Sequence, residues 1–186
     1  MSKKIALIAI GGNALLQEKL RGVQEEQLEN AWQTAETFGK ALEIVQMDAI
    51  KLLLEAGHCV IAGVGGVPVI RDASGLLVGV EAVIDKDRLS SLLAEQLGAD
   101  TYGILTGVAK IALDFGKPTQ RRVDRLTATE AARHLAESQF PAGSMGPKVE
   151  SALNFIRSGG REVLITSPEA LERLNYDTVG TRIVKD

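Results

Sequence analysis

Short apolar runs alternate with amphipathic helical patterns along this chain, which is typical of an α/β fold with a mainly parallel sheet. Each apolar run is continuous and ends at turn residues, as in strands that are buried on both faces. The stretch Arg71–Gly79 contains turn residues around Ser74-Gly75, which predict a small hairpin whose second strand is Leu76–Val80. The longer strands are expected at Ile5–Ile10, His58–Ala62, Thr101–Leu105, Glu162–Thr166 and Thr181–Val184.

Apolar residues three and four positions apart predict the helices. The first two predicted helices follow one another with no strand between them, which is unusual in a β-α-β series. Capping residues and glycines indicate where the helices begin and end. The helices are expected at Gln24–Phe38, Ile44–Ala56, Asp85–Leu97, from Thr127 onward, from Pro147 in a first turn to Gly159, and at Pro168–Leu174.

The helix Asp85–Leu97 begins with three consecutive charged residues. Asp85 is suited to the N-cap, because a carboxylate accepts the free backbone N–H groups there and favours the positive end of the helix dipole. Lys86 is harder to explain by helix stability, since the dipole disfavours a cation in the first turn. It is therefore a candidate phosphate ligand. An ordinary acidic cap with a solvated lysine remains the alternative.

Three glycine-rich stretches follow apolar runs or precede a helix. Gly11-Gly12-Asn13 ends the first predicted strand, and Gly65-Gly66 follow the second. Glycines at such ends let the backbone approach an anion, although a plain turn would use the same residues. The third stretch, Gly143–Val149, leads into a helix and makes Lys148 a second lysine at a helix start.

These groups are typical of a phosphoryl-transfer site, in which the protein mainly positions the substrates and neutralises charge. They comprise glycine turns, two lysines at helix starts and a nearby carboxylate. Lys86 and Lys148 would clamp phosphate oxygens, and Asp87 would orient the lysines. We expect both lysines to converge on one anionic group at one edge of the sheet. The sequence has neither a Walker A motif nor a G-x-G-x-x-G motif.

Other classes of site have little support in the sequence. His58 and His134 are isolated and lack a partner that would orient a catalytic base. No cluster of cysteine and histidine indicates a metal site. The formal net charge of -3 argues against nucleic-acid binding through bulk positive charge.

The 186 residues, of which 45% are hydrophobic, predict a single domain spanning residues 1–186. The single cysteine, Cys59, lies in an apolar run and is expected to be a buried strand thiol in a reducing compartment. The N-terminal apolar run is too short for a signal peptide or a membrane span. We therefore expect a cytoplasmic protein that does not bind membranes.

Several stretches resemble the carbamate kinase family of the amino acid kinase superfamily: IALIAIGGNALL, LLVGVEAVIDKDRLSSLLAEQLGAD and AGSMGPKVESALNFIRSGGREVLIT. The resemblance covers nearly the whole chain, and IDKD followed by GSMGPKV is specific. It implies a three-layer α/β/α sandwich, a homodimer and a role in arginine metabolism. It also implies reversible phosphoryl transfer between ATP and carbamate, giving ADP and carbamoyl phosphate, with Mg²⁺.

The resemblance also implies roles for individual residues. Lys86, Asp87 and Lys148 match the catalytic lysines and the organising aspartate. Gly11, Gly12, Asn13, Gly65 and Gly66 match the turns that face the transferred phosphoryl group and carbamate. Thr106, Phe115, Gly116, Lys117, Pro118, Met145 and Gly146 match the nucleotide pocket.

The sequence departs from the family pattern near residues 39–42. There the chain passes from TAETFG directly into KALEIVQMDAI, without the strand, the HGNGPQVG loop and the lysine-bearing subdomain of the family. Gly107 stands where the family usually has aspartate, and Val64 interrupts a run of glycines. Two alternatives to an active enzyme follow: a nucleotide-binding remnant without turnover, or a non-catalytic fold held together by dimerisation.

Overall fold

The computed structural model describes residues 5–10, 43–62, 67–80, 84–173 and 179–186. The chain divides into two compact units, the sheet unit (Met1–Lys19 with Ser90–Asp186) and the hairpin unit (Leu20–Leu89). Each unit is described by itself, and a single domain over 1–186 stays a prediction. Three expected features lie outside the described residues, namely the helix Gln24–Phe38 and the turns Gly11–Asn13 and Gly63–Gly66.

A five-stranded sheet forms the centre of the sheet unit. Its strands, numbered along the chain, lie in the order β1 (Ala6–Ile10), β4 (Thr101–Leu105), β8 (Glu162–Thr166), β9 (Thr181–Val184) and β7 (Arg125–Thr127). β1, β4 and β8 are parallel, β9 is antiparallel to β8, and β7 is parallel to β9. The mainly parallel α/β fold is therefore confirmed, and the residues of β4 and β8 are largely buried, as their apolar runs predict.

Helices α3 (Ala128–Ala136) and α4 (Met145–Arg157) pack against each other and against the sheet. The buried stripe of α4 contains the predicted Val149, Leu153 and Ile156. The rings of Tyr102 on β4 and Phe155 on α4 meet edge to face, with their centroids 5.6 Å apart. This arrangement is typical of aromatic pairs in cores.

The sheet unit also contains two shorter elements. One is a hairpin where the sequence predicts a loop, and the other is a short helix where the sequence predicts a helix. A small antiparallel hairpin, β5 (Ala112–Leu113) and β6 (Arg121–Arg122), carries the loop between them. The helix α5 (Pro168–Arg173) follows β8. Helix α2 (Lys86–Gln96) contains the division between the two units, and its residue Ala94 belongs to the core of the sheet unit.

The hairpin unit contains α1 (Met47–Glu55) and an antiparallel hairpin of β2 (Val69–Arg71) and β3 (Leu77–Gly79). Gly57, with φ +89°, follows α1 as the sequence predicts, because a left-handed residue ends a helix at low cost in glycine. The Asp72 carboxylate accepts hydrogen bonds from the Ser74 and Leu76 backbone, which fixes the predicted turn. No helix in the described parts of the chain has both the length and the apolar character needed to cross a membrane.

The predicted strand His58–Ala62 is wrong, since these residues belong to no strand in the structure. Cys59 is exposed rather than a buried strand thiol, and the side chain of Ile61 is 91% exposed. An apolar run favours a strand only where a neighbouring strand pairs with it and a face is covered. Neither condition is met at His58–Ala62 among the described residues, and the sequence pattern alone could not reveal this.

Helix α3 begins with a capping box, as the residues from Thr127 to Glu130 predict. The Thr127 hydroxyl accepts a hydrogen bond from the Glu130 N–H at 3.2 Å, and the Glu130 carboxylate accepts one from the Thr127 N–H at 2.8 Å. Thr127 is the last residue of β7, so the cap joins the sheet to the helix that covers it.

We predict that Thr127→Ala lowers the free energy of unfolding by about 1 kcal/mol, the usual effect of losing an N-cap side chain. Urea denaturation followed by circular dichroism measures the change. Thr127→Ser is the matched control, because it keeps the hydroxyl and should retain most of the stability. Equal losses in both variants would contradict the role of the hydroxyl.

The same box predicts a pH dependence of stability. The hydrogen bond from the Thr127 N–H holds the pKa of the Glu130 carboxyl below its ordinary value. A lowered pKa means that the stabilisation is complete above the unfolded-state pKa and is lost as pH falls through the folded-state pKa. The difference in melting temperature between the unaltered protein and Glu130→Ala should therefore shrink between about pH 6 and pH 3.

Glu130→Gln serves as the control for this pH dependence, because glutamine keeps a neutral acceptor at the same position. The difference between Glu130→Gln and Glu130→Ala should stay constant over the same range. A constant difference between the unaltered protein and Glu130→Ala would contradict the prediction.

Candidate active site

The carboxyl ends of three parallel strands bring candidate residues to one edge of the sheet. Ile10, Leu105 and Thr166 are the last residues of β1, β4 and β8 and lie in register. In open α/β sheets this edge is the usual ligand-binding edge. The phosphate turn Gly11, Gly12 and Asn13 follows β1 in the sequence but lies outside the described residues, as do Gly65 and Gly66.

Thr106 directly follows β4 and is fixed to the end of β8. Its N–H donates to the Thr166 carbonyl at 2.8 Å, and the buried Thr166 hydroxyl donates to the Ala109 carbonyl at 3.3 Å. Both ends of the Thr106–Ala109 loop are thus bonded to one residue of the central strand. Because both bonds use backbone groups of the loop, the loop backbone is held close to the carboxyl edge of the sheet.

The loop between β5 and β6 contains the predicted residues Phe115, Gly116, Lys117 and Pro118. The Phe115 side chain is 66% exposed, and Gly116 has φ +78°, a conformation that a residue with a side chain rarely adopts. The loop therefore presents an aromatic surface to solvent, of the kind on which a planar base can stack.

Lys117 has a partner within the loop. Its ammonium group donates to the Asp114 carboxylate at 3.1 Å. This hydrogen bond holds the pKa of the Asp114 carboxyl below its ordinary value. Because this ion pair is solvent-exposed, it shapes the loop more than it stabilises the fold.

Lys148 lies in the first turn of α4, as the sequence predicts, and its exposed fraction is only 8%. The turn before it is tight, because the Gly146 N–H donates to the Pro141 carbonyl at 2.9 Å. A Cβ atom on Gly146 would lie 3.1 Å from that same oxygen, so only glycine fits easily. Met145, the first helical residue, is partly buried against the core.

The electrostatics of this helix start favour an anion. The first turn of α4 contains no acidic residue, while the helix dipole places positive potential there. Lys148 lies in the same turn and is largely buried, so its charge and its partners within the chain act in a region of low dielectric constant. A phosphate group near Lys148 would be attracted by the ammonium, by the helix dipole and by backbone N–H groups together.

One hydrogen bond and two short stretches of chain connect the three nucleotide-candidate segments of the sheet unit. The Thr106–Ala109 loop leads within two residues to the β5–β6 hairpin, whose Asp114 N–H donates to the Gln139 side chain at 2.9 Å. Gln139 is two residues before Pro141, the acceptor for Gly146 at the start of α4. The structure therefore joins Thr106, the 115–118 loop and the turn before Lys148 into one continuous network.

Lys86 and Asp87 lie in the first turn of α2, in the hairpin unit. Asp85 is the N-cap, as predicted, because its carboxylate accepts from the N–H groups of Asp87 at 2.9 Å and Arg88 at 3.0 Å. Asp87 is buried and Lys86 is about half exposed, with Nζ 4.0 Å from the Asp87 carboxylate. The predicted convergence of Lys86 with Lys148 joins residues of different units and stays a prediction.

Sequence reasoning does not identify Thr166 and Gln139, which hold the network in place, or Thr181, whose hydroxyl contacts Ile111 and Val123 at the base of the β5–β6 hairpin. Threonines at strand ends are common in α/β folds, so their hydroxyl groups give no specific signal in the sequence. Among the described residues, no group of three or more histidine, cysteine or carboxylate side chains could hold a metal ion. His134 lies on α3 with its ring beside the Glu137 carboxylate, and its carbonyl accepts from the Gln139 N–H at 3.0 Å; His58 is exposed in the hairpin unit.

The sequence of the chain matches a known family. The sequence profile described as the amino acid kinase family matches residues 13–167. The chain is 46% identical over 143 residues to a carbamate kinase-like protein, YahI of Escherichia coli, covering 76% of this chain and 45% of the relative. It is 40% identical over 167 residues to a carbamate kinase of Thermoplasma volcanium, covering 89% and 54%.

A solved structure gives the same result. The carbamate kinase from Giardia lamblia bound to AMP-PNP has a TM-score of 0.72 and 40% sequence identity, over 78% of this chain and 51% of that chain. The present chain thus spans about half the length of the relatives it matches. On its fold and its sequence, the chain belongs to the amino acid kinase family, with carbamate kinases among its relatives.

Proposed function

We propose that the chain is a carbamate kinase-like phosphotransferase that transfers a phosphoryl group reversibly between ATP and carbamate, giving ADP and carbamoyl phosphate. The observation that carries this proposal is the burial of Lys148 in the first turn of α4. It lies in the GSMGPKV stretch of a chain that is 40% identical to a carbamate kinase solved with AMP-PNP.

In this proposal the sheet unit holds the nucleotide. Phe115 provides a surface for the base, while Thr106, Gly116, Lys117, Pro118, Met145 and Gly146 form the remaining wall of the pocket. Lys148 neutralises phosphate oxygens as the phosphoryl group moves, which is the main contribution a protein makes to phosphoryl transfer. The backbone network from Thr106 to Gly146 keeps these groups in place before the nucleotide binds.

The phosphate and carbamate side of the proposal involves the remaining residues. We assign binding of the transferred group to the glycine-rich residues of the resemblance, Gly11, Gly12, Asn13, Gly65 and Gly66. Lys86 supplies the second cation, and the buried Asp87 orients it. Mg²⁺ would come with the nucleotide, since it is commonly held by substrate phosphates, water and one or two carboxylates. A homodimer acting in the cytoplasm in arginine metabolism completes the proposal.

A second candidate function is nucleotide binding without turnover. The feature that favours it is the departure from the family pattern near residues 39–42, where TAETFG passes directly into KALEIVQMDAI. The nucleotide-side residues are described residues of the sheet unit. Of the substrate-side residues, Lys86 and Asp87 belong to the hairpin unit, and Gly11, Gly12, Asn13, Gly65 and Gly66 lie outside the described residues. Losing one cationic group that stabilises the transition state costs orders of magnitude in rate.

We predict that the pure, folded protein forms ATP from ADP and carbamoyl phosphate, and that Lys148→Met lowers kcat by about 100-fold or more. Methionine keeps the length and much of the volume of the buried side chain but removes the charge. A luciferase-coupled assay measures ATP, and circular dichroism verifies the fold of each variant.

Lys51→Met is the matched control for this assay, because Lys51 is an exposed lysine on α1 and should leave the rate unchanged. Absence of ATP formation by the folded, unaltered protein would reject the enzyme and favour the second candidate. Equal rates in Lys148→Met and the unaltered protein would reject the role of Lys148.

We also predict that ADP raises the melting temperature of the protein, and that the rise increases with the ADP concentration relative to its Kd. A ligand that binds only the folded state at about 100 times its Kd adds roughly 2.7 kcal/mol of stability. Phe115→Ala should reduce this shift by removing the proposed stacking surface. Leu76→Ala is a matched control, since Leu76 is 67% exposed and Phe115 66%. No shift at millimolar ADP would reject both candidate functions.

A further inference from the structure

One buried hydroxyl group holds the base of the β5–β6 hairpin. Thr181, the first residue of β9, has no exposed surface. Its oxygen accepts a hydrogen bond from the Ile111 N–H at 2.8 Å, and its hydroxyl donates to the Val123 carbonyl. Because Ile111 precedes β5 and Val123 follows β6, this single hydroxyl contacts both arms of the hairpin.

The hydroxyl stands in the place of a ladder hydrogen bond. The Val123 N–H donates directly to the Ile111 carbonyl at 2.9 Å, which continues the antiparallel pairing of β5 and β6. In such a pair the two residues normally exchange a second bond, from the Ile111 N–H to the Val123 carbonyl. Here the Thr181 side chain lies between that donor and that acceptor. Because the group must accept and donate at once, a hydroxyl fits and a hydrocarbon does not.

Thr181 itself is fixed to the central sheet. It pairs with Ile165 on β8, and the next residue, Arg182, donates from its N–H to the Asp124 carbonyl at 2.9 Å. Gly180, with φ +77°, lies so close to β8 that a Cβ atom would be 2.8 Å from the Ile165 carbonyl oxygen. The hydroxyl is therefore presented from within the five-stranded sheet.

The base of the hairpin determines where its tip lies, because each of the two strands has only two residues. The tip carries Phe115 to Pro118. A hydroxyl that sets the spacing of Ile111 and Val123 also sets the direction in which Phe115 is presented. We propose that Thr181 is a positioning residue for nucleotide binding, acting through the β5–β6 hairpin; this rests on the proposed nucleotide-binding function.

The test compares Thr181→Val with Thr181→Ser in the full-length protein. Valine matches threonine in shape and lacks the hydroxyl, whereas serine keeps it. We expect the Kd for ADP, measured by calorimetry well below the melting temperature, to rise about tenfold in Thr181→Val and to change little in Thr181→Ser. Amide exchange of residues 111–122 without nucleotide should be faster in Thr181→Val alone.

Tyr102→Phe separates positioning from a general loss of stability. Its hydroxyl lies 3.1 Å from the Ser151 hydroxyl in the same core, and neither residue belongs to the hairpin. We expect this variant to melt at a lower temperature while its Kd for ADP stays unchanged. A tenfold rise in Kd in Tyr102→Phe as well would overturn the proposal.

The remaining outcomes are also decisive. Equal Kd values in the unaltered protein, Thr181→Val and Thr181→Ser would overturn the positioning role while leaving nucleotide binding intact. Absence of ADP binding by the unaltered protein would instead reject the proposed function itself. If Thr181→Val does not fold, Thr181→Cys replaces it, and its weakly hydrogen-bonding thiol should still raise Kd above that of Thr181→Ser.

Discussion

The parallel pairing of β4 with β8 is the constraint on which the sheet unit depends. Both strands are largely buried, so their backbone polar groups have no access to water and must be satisfied by the ladder. In the ladder that satisfies them, Thr101 lies opposite Glu162 and Leu105 lies opposite Thr166. It follows that the carboxyl ends of the strands lie level, and that the segments leaving them begin at one edge.

Backbone and side-chain polar groups extend this order beyond the strands. Thr166 bonds the Thr106–Ala109 loop at the end of β8, and Gln139 bonds the hairpin at Asp114. Among the described residues, every buried side-chain nitrogen and oxygen has a hydrogen-bond partner. A fully satisfied network in a low-dielectric core is rigid, because each lost bond leaves a costly unpaired group. The positions of the candidate nucleotide segments therefore depend on the sheet to which they are bonded.

Charge is distributed differently at the two candidate helix starts. At α2 the Asp85 carboxylate caps the helix, and the Lys86 ammonium remains about half exposed. At α4 no side chain caps the helix, and Lys148 is buried in a first turn that lacks acidic residues. The same residue type is therefore about half exposed at one helix start and largely buried at the other.

The sequence by itself determined the alternation of strands and helices, the capping box at Thr127, the N-cap at Asp85 and the start of α4 near Lys148, because these depend on residues close together in the chain. It could not determine whether the apolar run His58–Ala62 becomes a strand, since that depends on a partner strand and on cover. Only the tertiary structure brought Thr181 between Ile111 and Val123 and Gln139 to Asp114. Such bonds join residues about 25 to 70 positions apart, and each hydroxyl or amide has many possible partners until the sheet fixes its register.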